Sequence, residues 1–372
     1  MSEVNVKPSY KINILMRKVK FKVTRLEKGV YMHKELREGP EAVLKTLSEA
    51  KSQVEATAKL LKEQLEAGVS YGFIIGSGTS FHASLFLQYL LNKYTELNVT
   101  AVPASEFADW RPIGAKKYFI IGYSQSGESS DIVEAFNVAK SAGVQTIAIT
   151  NTPGSTLTKI SDAYIVTRAG EEKAVAATKT FDVQLAAALM LTYQLIGKSL
   201  SDIEKAAEAS KKILEKEDNI AAIAEKYKNA EHAFGLGKDS AYAIALEASL
   251  KLKEAAMIHA EGFAAREFLH GPVQLVDETT PVLVFAPSKE GFLGSVKAME
   301  KIAQYKAPMI LVGPKTVEVE KYAADFIEIP AVESDLAVIP LVKAAQVFAY
   351  HVSILRGLNP DKPSKLSKVV KY

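Results

Sequence analysis

Tyr71-Gly72-Phe73-Ile74-Ile75-Gly76-Ser77-Gly78-Thr79-Ser80 is a short apolar run that stops in a glycine–serine turn. Residues 71–75 have the length and composition of a strand buried on both faces, and residues 81–94 continue at helical spacing. Strand, tight turn and helix in immediate succession open a βαβ unit. The rhythm then recurs: strands are expected at 99–102, 118–123 and 145–150, with a helix at 132–142 and a long one at 179–195. Alternation at this pace predicts an α/β fold built on a parallel sheet with helices on both faces.

Working outward, a helical pattern starts at Tyr31, and residues 40–67 read as a second helix that Gly68 ends. Residues 1–30 form a basic N-terminal arm, in which the alternation Lys18-Val19-Lys20-Phe21-Lys22-Val23 suits an edge strand or a solvated tail. After a linking helix at 201–227, Ala233-Phe234-Gly235-Leu236-Gly237 is again a strand entering a glycine turn. Further strands are expected at 282–286, 309–312 and 326–329, and residues 340–356 read as a closing helix like 179–195. The order of elements implies a tandem duplication, with one α/β domain at 68–204, a second at 225–360, helices at 31–67 before them and a tail at 361–372.

Composition narrows the function. The 372 residues carry a net charge of +3, too small to argue for nucleic acid. Cysteine is absent, so thiolate metal sites and a cysteine nucleophile are excluded, and a reducing cytoplasm fits. No apolar run approaches the roughly 18 residues of a membrane span, and no secretory signal opens the chain, so a soluble cytoplasmic protein is expected. The six histidines have no zinc-ligand spacing, and neither a metal nor an organic cofactor is indicated.

Two loops carry the binding chemistry. Ser124-Gln125-Ser126-Gly127-Glu128-Ser129 links a strand to a helix N-terminus, where backbone N–H groups and the helix dipole favour an anion. Thr79 and Ser80, at the neighbouring strand end, add hydroxyls. A phosphate monoester suits such a place, because open α/β sheets bind ligands beyond the carboxyl ends of their strands. Serine and glycine also make good turns and caps, and that reading stands beside the first. Neither loop has a P-loop lysine or a dinucleotide fingerprint.

The stretch 239–276 holds the candidate proton chemistry. Asp239-Ser240 is a plausible N-cap, and Glu247, Lys251 and Glu254 then recur at steps of three and four, on one helix face. An exposed, salt-bridged face would show the same spacing. The segment runs on to Glu267-Phe268-Leu269-His270-Gly271-Pro272, which sets an imidazole at a helix end. A carboxylate, a cation and a histidine in one unit suit proton shuttling along a sugar carbon chain.

Gly78-Thr79-Ser80, the Ser124–Ser129 loop, Asn151-Thr152-Pro153-Gly154-Ser155, Val175-Ala176-Ala177-Thr178-Lys179, the run from Glu247 to Glu254 and His270-Gly271-Pro272 occur in one order. In that order they resemble the sugar isomerase (SIS) family, as found in the isomerase half of glucosamine-6-phosphate synthase and its stand-alone relatives. The resemblance covers nearly all of 32–368. It implies two tandem SIS domains, each a three-layer, flavodoxin-like sheet flanked by helices, in a homodimer with shared active sites. It implies a hexose or hexosamine 6-phosphate ligand, with phosphate contacts from Thr79, Ser80, Ser124, Gln125, Ser126 and Ser129, and with Val175 and Ala176 beside the sugar. It also implies that Glu254 moves the proton between C1 and C2 with Lys251 nearby, that His270 assists ring opening from the partner subunit, and that Lys368 engages the open-chain carbonyl. Without the resemblance, Lys362, Lys365, Lys368 and Lys371 read as a solvated basic tail.

Departures from the pattern are Ser129 for a common threonine, Leu269 for the usual lysine before His270, and Ala177 for a serine. With no cysteine, glutamine hydrolysis by a cysteine nucleophile is not expected. Three functions follow as expectations. The first is glucosamine-6-phosphate deamination. The second is phosphosugar isomerisation, or amination with ammonia from a separate partner. The third is a non-catalytic phosphosugar-binding regulator.

Overall fold

The computed structural model describes residues 28–110 and 117–368. The basic arm up to Glu27, with its candidate strand at 18–23, and the last four residues of the tail lie outside the described residues.

Two helices come first, α1 (Val30–Glu49) and α2 (Lys51–Glu66). The break falls at Ala50 rather than at Pro40, which sits inside α1. A mid-helix proline leaves the carbonyl four residues back without its N–H partner. Here that carbonyl, Leu36 O, accepts a hydrogen bond from Lys343 Nζ at 3.0 Å, so the helix continues.

The first sheet contains β1 (Tyr71–Gly76), β2 (Asn98–Pro103), β3 (Phe119–Ser124), β4 (Gln145–Thr150) and β5 (Ala163–Val166) in the order β2-β1-β3-β4-β5. All its pairings are parallel. Its helices are α3 (Thr79–Tyr94), α4 (Ala104–Trp110), α5 (Ser130–Ser141), α6 (Thr156–Ile160) and α7 (Lys179–Ile196). After α8 (Glu204–Glu215) and α9 (Glu217–Tyr227), the second sheet repeats the plan. Its strands are β6 (His232–Gly237), β7 (His259–Ala264), β8 (Val282–Phe285), β9 (Met309–Gly313) and β10 (Asp325–Glu328), in the order β7-β6-β8-β9-β10, again all parallel. Both sheets therefore have the 2-1-3-4-5 order of a flavodoxin-like domain, with a switch point between their first and third strands. The remaining helices are α10 (Ser240–Ala256), α11 (Lys289–Ala303), α12 (Val317–Glu320) and α13 (Val338–Leu355).

Two strands differ from the sequence expectation. Residues 259–264, read as part of one long helical unit, leave α10 through a left-handed Met257 and form β7 at the edge of the sheet. His-Ala-Glu-Gly-Phe-Ala has little intrinsic strand preference, and only pairing to β6 makes it a strand. The short β5 was not expected either.

A duplicated detail supports the internal repeat. In each half the first strand ends in a glycine pressed on the next helix: a Cβ on Gly76 would lie 2.5 Å from Ser80 O, and one on Gly237 would lie 2.1 Å from Ala241 O. The N-cap residue after each turn has the same backbone, φ 54 and ψ −125 at Gly78 and φ 54 and ψ −131 at Asp239. Glycine adopts this conformation readily and aspartate does not. Asp239 occupies the N-cap position expected from the sequence, without a side-chain capping bond.

One continuous core runs from Ile74 and Ile121 of the first sheet, through α3, α7, α10 and α13, to Leu283 and Ile310 of the second. Smaller cores lie on the outer faces, around Phe136 in the first half and Phe292 in the second. Each fully buried leucine or phenylalanine here contributes about 1.5–3 kcal/mol. Contrary to the expectation that no segment is long and apolar enough to span a membrane, α13 is 18 residues long with a mean hydropathy of 1.5. It is 83% buried, at the centre of the fold.

A carboxylate clamp ties the first and last helices to the linker. Glu217, at the start of α9, lies 2.9 Å from His33 Nε2 of α1 and 2.9 Å from His351 Nε2 of α13, and it also contacts the Arg37 guanidinium. Burial pushes the Glu217 carboxyl up, but the hydrogen bonds from His33 and His351 outweigh it and hold the group well below the usual carboxylate range. A depressed folded-state pKa gives stability that is present above the unfolded value and lost as pH falls below it. The wild-type protein should therefore lose on the order of 1–2 kcal/mol more than Glu217→Gln between about pH 5 and pH 3. Denaturant midpoints across that range check this, and parallel curves would remove Glu217 from the acid response.

Candidate active site

A cavity of about 310 Å³ opens at the carboxyl ends of β1 and β3, the switch point of the first sheet. This is near the lower end of the ~300–1,000 Å³ typical of ligand pockets. Its floor is made by the two loops singled out from the sequence. Thr79 and Ser80 come from the start of α3, and Ser124, Gln125, Ser126 and Ser129 come from the turn between β3 and α5. Ser124 Oγ stands 3.2 Å from Ser129 Oγ and accepts the Gly127 N–H at 3.1 Å. Gly127 has φ +66, and a Cβ there would lie 2.2 Å from Ser155 Oγ, so the turn closes only with glycine. Two helix N-termini, those of α3 and α5, meet at this floor and favour an anion there.

One wall is the strap before α7. Val175 and Ala177 line the cavity, whereas Ala176 is fully buried in the core and does not. The strap is held by two glutamates that sequence reasoning passed over. Glu35 of α1 accepts the Lys173 and Ala174 N–H groups. Glu172 accepts from Thr178 N at 2.9 Å, Thr180 N at 3.1 Å and Thr180 Oγ1 at 2.7 Å. In the sequence, Glu171-Glu172-Lys173 is indistinguishable from a solvated charge run.

The tail closes the cavity. Leu366, Ser367 and Lys368 line it, and Lys368 Nζ lies 2.6 Å from Glu172 Oε2 and 2.7 Å from Ala174 O. Burial alone would raise the Glu172 carboxyl, but the Lys368 charge and hydrogen bond bring it below the usual range. The tail lysine is thus an ion-paired donor at the cavity wall.

The opposite wall is α10, which supplies Glu254. Lys251 lies behind it, fully buried, with its ammonium against Glu254, 3.4 Å from Glu247 Oε1 and 3.3 Å from Thr79 Oγ1. Burial pulls the Lys251 ammonium down, and the two carboxylates more than reverse that, holding it charged. On the i, i+4 and i+7 face of α10, Glu247 and Lys251 are therefore buried behind a half-buried Glu254, and the face is not a solvated salt-bridge ladder.

His270 follows the 3₁₀ turn Glu267–Leu269, is exposed, and does not line the cavity of its own chain. The fold thus brings Thr79, Ser80, Ser124, Gln125, Ser126, Ser129, Val175, Glu254 and Lys368 to one cavity, sets Lys251 behind it and leaves His270 and Ala176 out. Gln184, which donates to Ser80 Oγ at 2.9 Å, and Thr180 also line the cavity. Both sit among the apolar residues of α7, where nothing in the pattern marks them. Among the described residues no group of three or more His, Asp or Glu side chains is arranged to hold a metal ion.

The arrangement offers an anion cradle together with a carboxylate, Glu254, and an ion-paired lysine, Lys368, lining the same cavity. The model of the SIS domain matches residues 72–194 and 226–356. The glutamine–fructose-6-phosphate aminotransferase (isomerizing) of Mycolicibacterium smegmatis is 36% identical over 369 residues, covering 92% of this chain. This chain spans 58% of that relative's length. The solved C-terminal domain of glucosamine-fructose-6-phosphate aminotransferase from Francisella tularensis superimposes with a TM-score of 0.81 at 27% identity, covering 90% of this chain and 98% of that one. A glucosamine-6-phosphate deaminase structure from Thermotoga maritima shares the fold, with a TM-score of 0.69 at 23% identity, covering 88% and 99%.

Proposed function

The chain belongs to the SIS domain family, and from that premise we propose that it interconverts an amino sugar phosphate and a ketose phosphate, in the direction glucosamine 6-phosphate plus water to fructose 6-phosphate plus ammonia. The observation that supports this best is the pairing, in one cavity, of a serine-lined anion cradle with Glu254 and Lys368.

In this reading the phosphate rests on the Ser124–Ser129 turn and the start of α3, which fixes the sugar chain along the cavity. Glu254 takes the proton from C2 of the open-chain aldose and returns it to C1, the aldehyde oxygen gains a proton to become the C1 hydroxyl, and the C2 amine gives one up to become an imine. Water adds to that imine and ammonia leaves. Lys368 donates to the open-chain carbonyl oxygen while the carbanion charge develops. The buried Lys251 keeps Glu254 oriented. His270, exposed and outside its own cavity, serves ring opening in a second copy of the chain.

A second reading has one specific observation in its favour: the 36%-identical relative is named an aminotransferase. The same steps run in reverse would aminate fructose 6-phosphate with ammonia from a separate donor. The test is ammonia release from glucosamine 6-phosphate, coupled to detection of fructose 6-phosphate. Joint appearance of both supports deamination. Net synthesis only with added ammonia supports the second reading, and tight phosphosugar binding without turnover supports a sensor.

The anion cradle makes its own prediction. Ser126→Ala removes a donor to a charged group worth about 1.5–3 kcal/mol, so KM should rise about ten- to a hundredfold with little change in kcat. Unchanged substrate affinity would put the phosphate elsewhere.

A further inference from the structure

Behind Glu254 the polar groups continue as a chain into the protein. Lys251 touches Glu254 on one side and lies 3.4 Å from Glu247 Oε1 on the other. Glu247 accepts from Thr79 Oγ1 at 3.1 Å through the same oxygen. Its other oxygen lies 2.7 Å from His82 Nδ1 of α3. Glu247 is wholly buried and the His82 side chain is 11% exposed. One ammonium thus serves two carboxylates, of which only Glu254 reaches the cavity.

We propose that His82 and Glu247 are positioning residues for the Lys251–Glu254 pair, dividing one buried ammonium between two carboxylates of which only Glu254 meets the substrate. This rests on the reading of Glu254 as the group that moves the proton. With Glu247 absent, the whole charge of a desolvated ammonium would fall on Glu254, and a neighbouring negative charge would also be gone. Both changes stabilise the Glu254 carboxylate and make it a poorer base. His82 fixes which Glu247 oxygen faces Lys251: its ring occupies one oxygen and leaves the other to Thr79 and Lys251. Burial works against the Glu247 charge, and Lys251 followed by His82 hold it below the usual carboxylate range, so the second carboxylate is ionised when Glu254 works. Among the described residues, the charged and titratable groups in and around this array are His82 on α3, Glu247, Lys251 and Glu254 on α10, and, lining the same cavity, Tyr123, Asp131, Glu172 and Lys368.

The test is the pH dependence of kcat/KM for glucosamine 6-phosphate in Glu247→Gln and in the pair His82→Leu and His82→Asn. Glu247→Gln should move the acid limb about one unit to lower pH and reduce the plateau about tenfold, with KM little changed. His82→Leu should lower kcat about tenfold, and His82→Asn, whose amide nitrogen falls where Nδ1 stands, should restore most of that loss. An acid limb that stays in place in Glu247→Gln, or equal losses in the two His82 variants, would overturn the assignment. If Glu247→Gln does not fold, the His82 pair decides alone. A wild-type protein without turnover overturns both this inference and the function it rests on, whereas an active wild-type with unmoved profiles overturns only the positioning role.

Discussion

Glu254→Gln should fold with unchanged stability and turn over glucosamine 6-phosphate at least about a hundredfold more slowly than wild type. Stability should hold because Glu254 is partly exposed at the cavity wall and its one ion pair, to Lys251, is backed by a second carboxylate. The amide still accepts a hydrogen bond from the Lys251 ammonium, so the wall keeps its shape. Only the ability to take a proton from carbon is lost, and this should appear in kcat with KM nearly constant. Stopped assays for ammonia and fructose 6-phosphate, with a thermal midpoint measured alongside, check it. Near-normal turnover would remove Glu254 from the mechanism and turn attention to Glu172 and Asp131, the other carboxylates lining the cavity.

Lys343→Met should be the most destabilising of the substitutions considered, at about 3–5 kcal/mol. Lys343 is wholly buried in α13, with Nζ 2.6 Å from Asp182 Oδ2, 2.8 Å from Gln346 Oε1 and 3.0 Å from Leu36 O. Burial already pushes the Asp182 carboxyl up, and the Lys343 ammonium and Gln346 are what pull it back. Removal of the ammonium leaves a carboxyl in the core with Gln346 alone, and the Pro40-exposed carbonyl of Leu36 with no donor. Gly39 prevents relief: even a Cβ at that position would lie 2.2 Å from Asp182 Oδ2, so α1 is already in contact with the pair. Loss of most of the penalty in the double variant Asp182→Asn with Lys343→Met, measured by urea midpoints, would show that the cost is the stranded charge and not the lost packing. A single variant within about 1 kcal/mol of wild type would mean the pair contributes nothing net. The effect should also reach the active site, because Gln346 donates to Thr178 O, at the end of the strap that lines the cavity.

The serine-rich turn at the cavity floor was legible in the sequence because its chemistry is local. A glycine that must turn, hydroxyls on either side and a helix starting at once are all written in six consecutive residues, and Ser124 to Ser129 do meet at the cavity floor. Glu254 and Lys251 were legible for the same reason, as neighbours on one helix. Glu172, His82 and Gln184 were not. Each acquires its role from a partner about 100 to 200 positions away, Lys368 for Glu172, Glu247 for His82 and Ser80 for Gln184. No periodicity within one element records such a pairing.

Hydrophobic periodicity and turn chemistry in the chain alone determined an α/β protein made of two similar halves, with serine- and glycine-rich loops at the ends of the first and third strands of the first half. Those signals act over a few residues and survive without the rest of the fold. Tertiary structure alone decided that 259–264 is a strand, that Glu247 and Lys251 are buried behind Glu254, and that Leu366, Ser367 and Lys368 of the basic tail line the cavity. It also decided that α13, apolar enough to span a bilayer, is instead the centre of the core. The physical reason is common to all four: burial and pairing energies depend on which surfaces meet, and a helix face, a tail or an apolar run is the same string of residues whether it meets water or protein.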